Sequence, residues 1–575
     1  MSPIVLMVVG LAMFAFGYLV YSRYLAKRVF ASSEGFVTPA HELRDGVDYE
    51  PTNKFILWGH HFTSVAGAAP IVGPAIAIIW GWGPAFLWVT LGTVFFAGMH
   101  DMGTLWASVR NKGRSIGSLS ERYIGKRGSA LFLVVMFILL LMVIAAFAVV
   151  ITNLLIATPS SVIPTWGALV VALGVGFSVY RMHWPLIPVT IVGVIALYAL
   201  IYLGDLYPVV LPENFLGMGP APFWILCLFV YGGAASLLPV WVLLQPRDYI
   251  NGVQLFIGLG ILYGAVIGAA FFAAEAPKIV APFYNTNLPE NTPNIVPLLF
   301  VTIACGAISG FHGLVSSGTS SKQLDKESDS RLVGYFGAVG EGLLALATIL
   351  VVAGGFRTVT EWNEVYSSFG EAGVATFIQA GGDIMNTGLG LPVSLSATVL
   401  ATMTVLFAAT SLDTAMRLFR LIVQEIGDKV NVRINKVAAT VIALGLGMAL
   451  TFSQGASGEG GLRIWPLFGT TNQLLAALSL AMLTVVLIRK RRNPLPTLIP
   501  LIVVFSMSFW AAIAQLMGFV DPEKPDWLLF ALDCLIIVSS LLVAVEAILA
   551  IRRALKEEPE PEDADMKLEA TRERV

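Results

Sequence analysis

Charge is scarce in this chain. Asp, Glu, Lys and Arg make up 13% of its 575 residues, against roughly 25% in an ordinary soluble domain. A soluble enzyme with two or three conventional cores is thereby excluded. The formal net charge is -2, so no basic face is available for nucleic acid. Cysteine is nearly absent. Cys227, Cys305 and Cys534 each sit inside an apolar run, where they form neither a disulfide framework nor a metal motif. Histidine is equally sparse, with six residues. The adjacent His60 and His61 would point about 100° apart on a helix, whereas helical metal ligands prefer spacings of three or four. No connection between apolar runs is long enough for a catalytic domain; the longest are 23–55 and 357–390. Neither an enzyme nor a bound metal or other cofactor is expected.

Apolar residues fill the space that charge leaves. They reach 57% of the chain, with a mean hydropathy of +0.79. About 20 such residues in a row cross the hydrocarbon layer as a helix. About fifteen runs qualify: 3–22, 56–79, 84–108, 128–156, 161–180, 185–204, 221–244, 252–272, 295–316, 332–356, 391–411, 433–453, 463–488, 494–517 and 527–551. Their continuity excludes a β-barrel. The fold class is therefore all-α, a polytopic transmembrane helix bundle. The first run has no basic leader before it, so it reads as a retained span. Placing the N-terminus outside leaves only Lys278, Arg357, Arg463 and Lys524 outside, of 35 Lys and Arg. That asymmetry is the positive-inside pattern, and it puts the C-terminus in the cytoplasm.

Glycine and proline at membrane depth need a reason, because backbone groups freed there find no water. The second run carries Gly67, Ala68, Ala69, Pro70, Gly73 and Pro74; the seventh carries Tyr231, Gly232 and Gly233, then Pro239. Five spans apart, these two runs cross in opposite directions. Paired interrupted spans mark the binding site of a secondary transporter. The expectation is a five-plus-five inverted repeat: residues 56–204 (spans 2–6) as one half and 221–425 (spans 7–11) as the other. Residues 1–22 and 433–551 would be peripheral, and 552–575 a disordered cytoplasmic tail.

Within that frame, the backbone of Gly67, Ala68, Ala69, Pro70 and Gly73 with Tyr231, Gly232 and Gly233 is expected to hold a substrate carboxylate. The hydroxyls of Ser316, Ser317 and Thr319 are expected to help bind a sodium ion. Ionisable residues at membrane depth usually face a cavity or a partner. His60, His61, Asp101, His312, Glu341 and Asp413 are the expected proton relay or gate. Coupling is to H+ or Na+. The competing class is a membrane-embedded redox or metal/haem-binding protein using the intramembrane histidines.

Several segments carry a resemblance. They are Asn53-Lys54 with Gly59-His60-His61-Phe62, Gly67 to Pro74, Gln245-Pro246-Arg247-Asp248-Tyr249 and Thr302 to His312. Others are Ser316-Ser317-Gly318-Thr319, Thr410-Ser411-Leu412-Asp413-Thr414 and Trp465 to Leu475. In this order, from 53 to 475, they resemble the signature of the carbon starvation protein A (CstA) family. The resemblance implies membership of the amino acid–polyamine–organocation superfamily, with its LeuT-like core. It also implies a bacterial or archaeal cytoplasmic (inner) membrane protein that imports peptides, or pyruvate, by coupling to an ion gradient during carbon starvation.

Overall fold

Long apolar runs in lipid leave backbone N–H and C=O groups nothing to bond but each other, which selects helix. The computed structural model describes residues 1–273, 277–521 and 525–558 and is helical throughout. In the first part of the chain come α1 (Pro3–Val29), α2 (Lys54–Ala66), α3 (Ala69–Trp80), α4 (Trp82–Val109), α5 (Lys126–Ala157), α6 (Pro159–Arg181) and α7 (Leu186–Leu206). The middle holds α8 (Pro220–Leu237), α9 (Leu244–Phe272), α10 (Ile295–Thr302), α11 (Gly310–Gly318), α12 (Glu327–Gly354) and α13 (Val374–Leu389). The remainder is α14 (Val393–Lys429), α15 (Lys436–Thr451), α16 (Trp465–Arg489), α17 (Leu495–Gly518) and α18 (Trp527–Ala554).

Among the described residues twelve helices are long and apolar enough to span a membrane, and thirteen if the bent pair α2–α3 is one span. The protein is an all-helical polytopic membrane protein. The other two expected runs are α15, of 16 residues, and the run at 295–316, which is broken into α10 and α11. The expected tail begins as the end of α18, and its residues from 559 lie outside those described.

Two long helices, α5 and α14, pack along each other through the middle. Around them the contacts are reciprocal. α2 packs on α9 and α12, while α11 packs on α16 and α4; α8 packs on α14 and α15, while α15 packs on α5 and α8. The hairpin α6–α7 lies outside, touching α9 and α14 and turning Val170, Ile187 and Val192 outward. That exposure suits a lipid-facing surface.

Three expectations are corrected. The seventh run is not broken at Tyr231–Gly233: α8 is continuous α-helix to Leu237, and the chain turns extended only at Leu238, just before Pro239. Its small residues serve packing, since a Cβ on Gly233 would sit 2.8 Å from Leu444 of α15. The second break falls instead at 303–309, where Gly306 has φ 93°. The run expected at 391–411 continues to Lys429 as α14, a helix of 37 residues that includes Asp413.

The contact between α9 and α13 depends on glycine. A Cβ at Gly388 would run into the carbonyl of Ala265, and one at Gly268 into that of Gly388. Gly388→Val should destabilise the fold by about 1–3 kcal/mol through overpacking. Thermal unfolding in detergent should show the lowered midpoint, and an unchanged midpoint would remove this contact as a constraint.

Candidate functional site

The first break starts where α2 stops. Gly67 has φ 53° and ψ -161°, a region that residues with a Cβ avoid. A Cβ there would also lie 2.8 Å from the Phe147 ring and 3.1 Å from Ser411 Oγ. Ser411 donates to the Ser64 carbonyl at 2.9 Å, tying the end of α2 to α14. The Ala68 carbonyl accepts from Ile71 and Val72, each at 3.1 Å. Pro70 stands in the first turn of α3, where its missing N–H costs nothing. α2 and α3 meet at 44°.

The second break is antiparallel neighbour to the first. A Cβ on Gly73 of α3 would collide with the Thr302 carbonyl at the end of α10. The lips of this break are bonded to other helices. Thr93 donates to the Gly306 carbonyl at 2.9 Å, and the Trp88 indole to the Ile303 carbonyl at 3.1 Å. A cavity of about 640 Å³ opens above both breaks. Its wall includes Ala69 and Val72 beside the first, Thr302, Ala304 and Cys305 at the second, and Trp465 of α16. The segment Phe369–Ala375, which runs into the start of α13, borders it too. Glu371 there accepts from Ser367 at 2.8 Å, and that bond holds its carboxyl below the usual glutamate value.

Away from the lining of this cavity, a cluster of buried ions joins several helices. His60 Nδ1 lies 2.5 Å from Asp248 Oδ2. Arg247 pairs with Asp248 and, through Nη2 at 3.0 Å, with Asp413 Oδ1. Tyr231 donates to Asp413 Oδ2 at 2.7 Å. One turn along α14, Arg417 pairs with Asp48 at 2.9 Å. This latch joins α2, α8, α9 and α14. A second cavity of about 350 Å³ is lined by Leu314, Ser317, Lys322 and Glu425 among others. Burial lowers the Lys322 ammonium from its ordinary value, with Arg417 and Arg420 adding to the effect.

A third cluster runs between α4, α11 and α12. His100 Nδ1 lies 2.9 Å from Asp101 Oδ1, Asp101 Oδ2 lies 2.7 Å from His312 Nδ1, and His312 Nε2 lies 2.9 Å from Glu341 Oε2. All four residues are buried.

The expected residues thus divide. Gly67, Ala68, Ala69, Pro70 and Gly73 line or shape the first break. Gly232 and Gly233 lie within α8 away from it, and Tyr231 joins the latch. Of the three expected ion-binding hydroxyls, Ser317 and Thr319 donate to carbonyls four residues back, at 2.7 and 2.9 Å. Ser316 Oγ has no partner among the described residues. His60 and His61 turn to different helices; His61 Nδ1 lies 2.8 Å from Ser320 Oγ. Among the described residues no three His, Cys, Asp or Glu are placed to hold a metal. Sequence reasoning passed over Arg247 and Asp248 as site residues. An adjacent charge pair between two apolar runs was the available signal.

A family model, "Carbon starvation protein CstA", matches residues 2–361 and 353–511. The chain belongs to the CstA family. It is 30% identical to the peptide transporter CstA of Helicobacter pylori (strain J99 / ATCC 700824), over 89% of this chain and 82% of the relative. It is 28% identical to the peptide transporter CstA of Bacillus subtilis (strain 168), over 95% and 97%. The pyruvate/proton symporter BtsT of Escherichia coli (strain K12) is 27% identical over 89% and 81%. Among solved structures, the manganese transporter of Eremococcus coleocola is similar with a TM-score of 0.44 and 12% identity, over 89% and 99%. MhsT in complex with L-phenylalanine is similar with a TM-score of 0.45 and 14% identity, over 86% and 98%. As a CstA-family protein the chain is a membrane transporter and not an enzyme.

The latch in this CstA-family chain gives a double-mutant test. Asp413→Leu removes one carboxylate from Arg247 and should cost about 3–5 kcal/mol, the range for breaking a buried pair. Adding Arg247→Leu should recover part of that loss, read as the detergent melting midpoint of single and double variants. Strictly additive losses would mean the two side chains are uncoupled.

Proposed function

We propose that this chain is an ion-coupled symporter that imports peptides or pyruvate-like small carboxylates under carbon starvation. The observation that carries this reading is one cavity reaching both helix breaks, with buried ion pairs joining α2, α8, α9 and α14 outside its lining. Such a shape fits a site open to one face and latched at the other. Helix N-termini attract anions, and α3 and α11 both begin at these breaks. The substrate carboxylate is held there, between α3 and α11, by backbone N–H groups. Rocking of the helices then opens the latch and closes the cavity.

The reciprocal packing supports an inverted repeat with shifted boundaries. One half is α2–α5 with α8 and α9; the other is α10–α12 with α14, α15 and α16. In this pairing α2–α3 corresponds to α10–α11, α4 to α12, α5 to α14, α8 to α15 and α9 to α16. The hairpin α6–α7 is then an insertion, and α1, α17 and α18 are peripheral. The Lys/Arg asymmetry supports a bacterial or archaeal inner membrane location with the latch side cytoplasmic.

Protons are the favoured coupling ion. The chain from Asp101 through His312 to Glu341 offers a path for them, since an imidazole can take a proton on one ring nitrogen and release one from the other. The name of the BtsT relative, a pyruvate/proton symporter, supports this choice. Sodium is the second reading, favoured by the buried Ser316 hydroxyl, which has no partner among the described residues.

Proteoliposomes tested with pyruvate and dipeptides, under separately imposed proton and sodium gradients, should accumulate substrate only with the proton gradient. Glu341→Gln should lose that accumulation yet keep gradient-free exchange of labelled for unlabelled substrate. Sodium-driven accumulation that survives in Glu341→Gln would overturn the proton reading. Failure of both substrates under both gradients would overturn the transport assignment made here.

A further inference from the structure

Two consecutive amides on α16 hold the two lips of the second break. Asn472 Oδ1 accepts from the Phe311 N–H at 2.9 Å and from the Ser309 hydroxyl at 3.1 Å. Its Nδ2 donates to Ser309 Oγ at 2.9 Å and to Cys305 Sγ at 3.3 Å. Gln473, turned about 100° further round the helix, donates from Nε2 to the Phe300 carbonyl at 2.6 Å. Its own Oε1 accepts from Ser508 of α17 at 3.2 Å. Asn472 therefore grips the start of α11, and Gln473 grips the end of α10.

The grip replaces a missing local device. A helix N-terminus needs an acceptor for its first N–H groups, ordinarily the N-cap side chain. Ser309 is the N-cap of α11, yet its hydroxyl makes no capping bond. Asn472 supplies that acceptor from another helix. The approach is close enough to exclude a side chain at Gly310, whose Cβ would meet the Asn472 carbonyl and lie 2.6 Å from Leu475 Cβ. Both amides and Ser309 are fully buried. Buried polar networks whose members are all bonded are rigid, and small changes in one member are felt by the others.

The clasp also touches the cavity. Cys305, on the cavity wall, is bonded to Asn472, and Trp465, one end of α16, borders the same space. We propose that Asn472 and Gln473 are a clasp fixing the second break to α16, and that Asn472 is the positioning residue through which cavity occupancy reaches that helix. This rests on the reading that a substrate carboxylate sits between α3 and α11. The Asn472 amide oxygen occupies an N-terminal donor of α11. An arriving carboxylate competes for the positive end of the same helix, weakens the grip and frees α11 to move relative to α16.

The test uses the full-length protein in proteoliposomes, with Cys227→Ser and Cys534→Ser leaving Cys305 as the single thiol. Labelling of Cys305 by a methanethiosulfonate reagent should quicken roughly tenfold in Asn472→Ala, the size of a lost hydrogen bond of about 1.4 kcal/mol. An unchanged labelling rate would overturn the clasp. Asn472→Asp keeps both acceptor bonds but adds a negative charge at the start of α11. It should raise the half-saturating concentration for pyruvate or dipeptide uptake about tenfold while leaving the maximal rate within about threefold. A merely structural role predicts a fall in maximal rate with half-saturation unchanged, and that result would overturn the positioning assignment. If labelling responds to Asn472→Ala but neither substrate is transported by the unsubstituted chain, the clasp stands and the transport reading falls.

Discussion

Inside a lipid bilayer, every peptide N–H and C=O must find its partner within the protein. Fourteen of the eighteen helices meet that demand without leaving a gap between halves of one span. The pairs α2–α3 and α10–α11 do not, and much of the site follows from how their exposed ends are handled. Each gap is placed beside the other, with Gly73 of one against Thr302 of the other. Some of the freed carbonyls are taken by side chains from neighbouring helices: Ser411 at Ser64, Trp88 at Ile303, Thr93 at Gly306 and Gln473 at Phe300. The starts of α3 and α11 carry partial positive charge that costs no buried side chain to provide. That is a means of attracting a carboxylate in a cavity whose lining contains no Lys or Arg.

Much of this arrangement is visible before any coordinates. The apolar runs follow the order of the helices, and Gly67 with Pro70 and Pro74 marks the first break, since two prolines and a glycine within eight residues weigh against an unbroken helix. The second break is not legible in the same way. Tyr231–Ser236 and Ala304–Gly310 both contain two glycines among small residues. Small residues serve close helix packing as readily as they serve a break. What separates the cases lies across the interface: Gly233 faces Leu444, whereas Gly306 adopts φ 93° with Thr93 on its carbonyl. Sequence spacing carries no record of either neighbour.

The same limit applies to charge. Asp101, His312 and Glu341 stand out individually because each interrupts an apolar run. Their contact is a property of three helices meeting, and none of the intervals between 101, 312 and 341 encodes it. Arg247 was harder to see. Counted as a loop cation, it fits the positive-inside pattern without further explanation. Only the early start of α9 at Leu244 brings it into the protein, between Asp248 and Asp413.

The placement of those ions bears on why they are there at all. Buried ion pairs pay heavy desolvation, and packed hydrophobic residues of the same volume often stabilise a fold at least as well. A latch made from His60, Asp248, Arg247, Asp413 and Tyr231 is therefore a poor choice for strength alone. On the proposed reading its advantage lies in being reversible. Hydrophobic side chains separated by water lose their contact energy outright, whereas charged groups exposed by an opening gate are hydrated and recover much of what the pairing supplied. The two states then differ by a small balance of large terms, which a bound carboxylate or one transferred proton can tip. The latch shares helix α2 with the first break, and the Asp101–His312–Glu341 chain shares helix α11 with the second. Each ionic device thus has one member, His60 or His312, on one half of a broken helix, and on the proposed reading a movement of that half carries this member away from its partners.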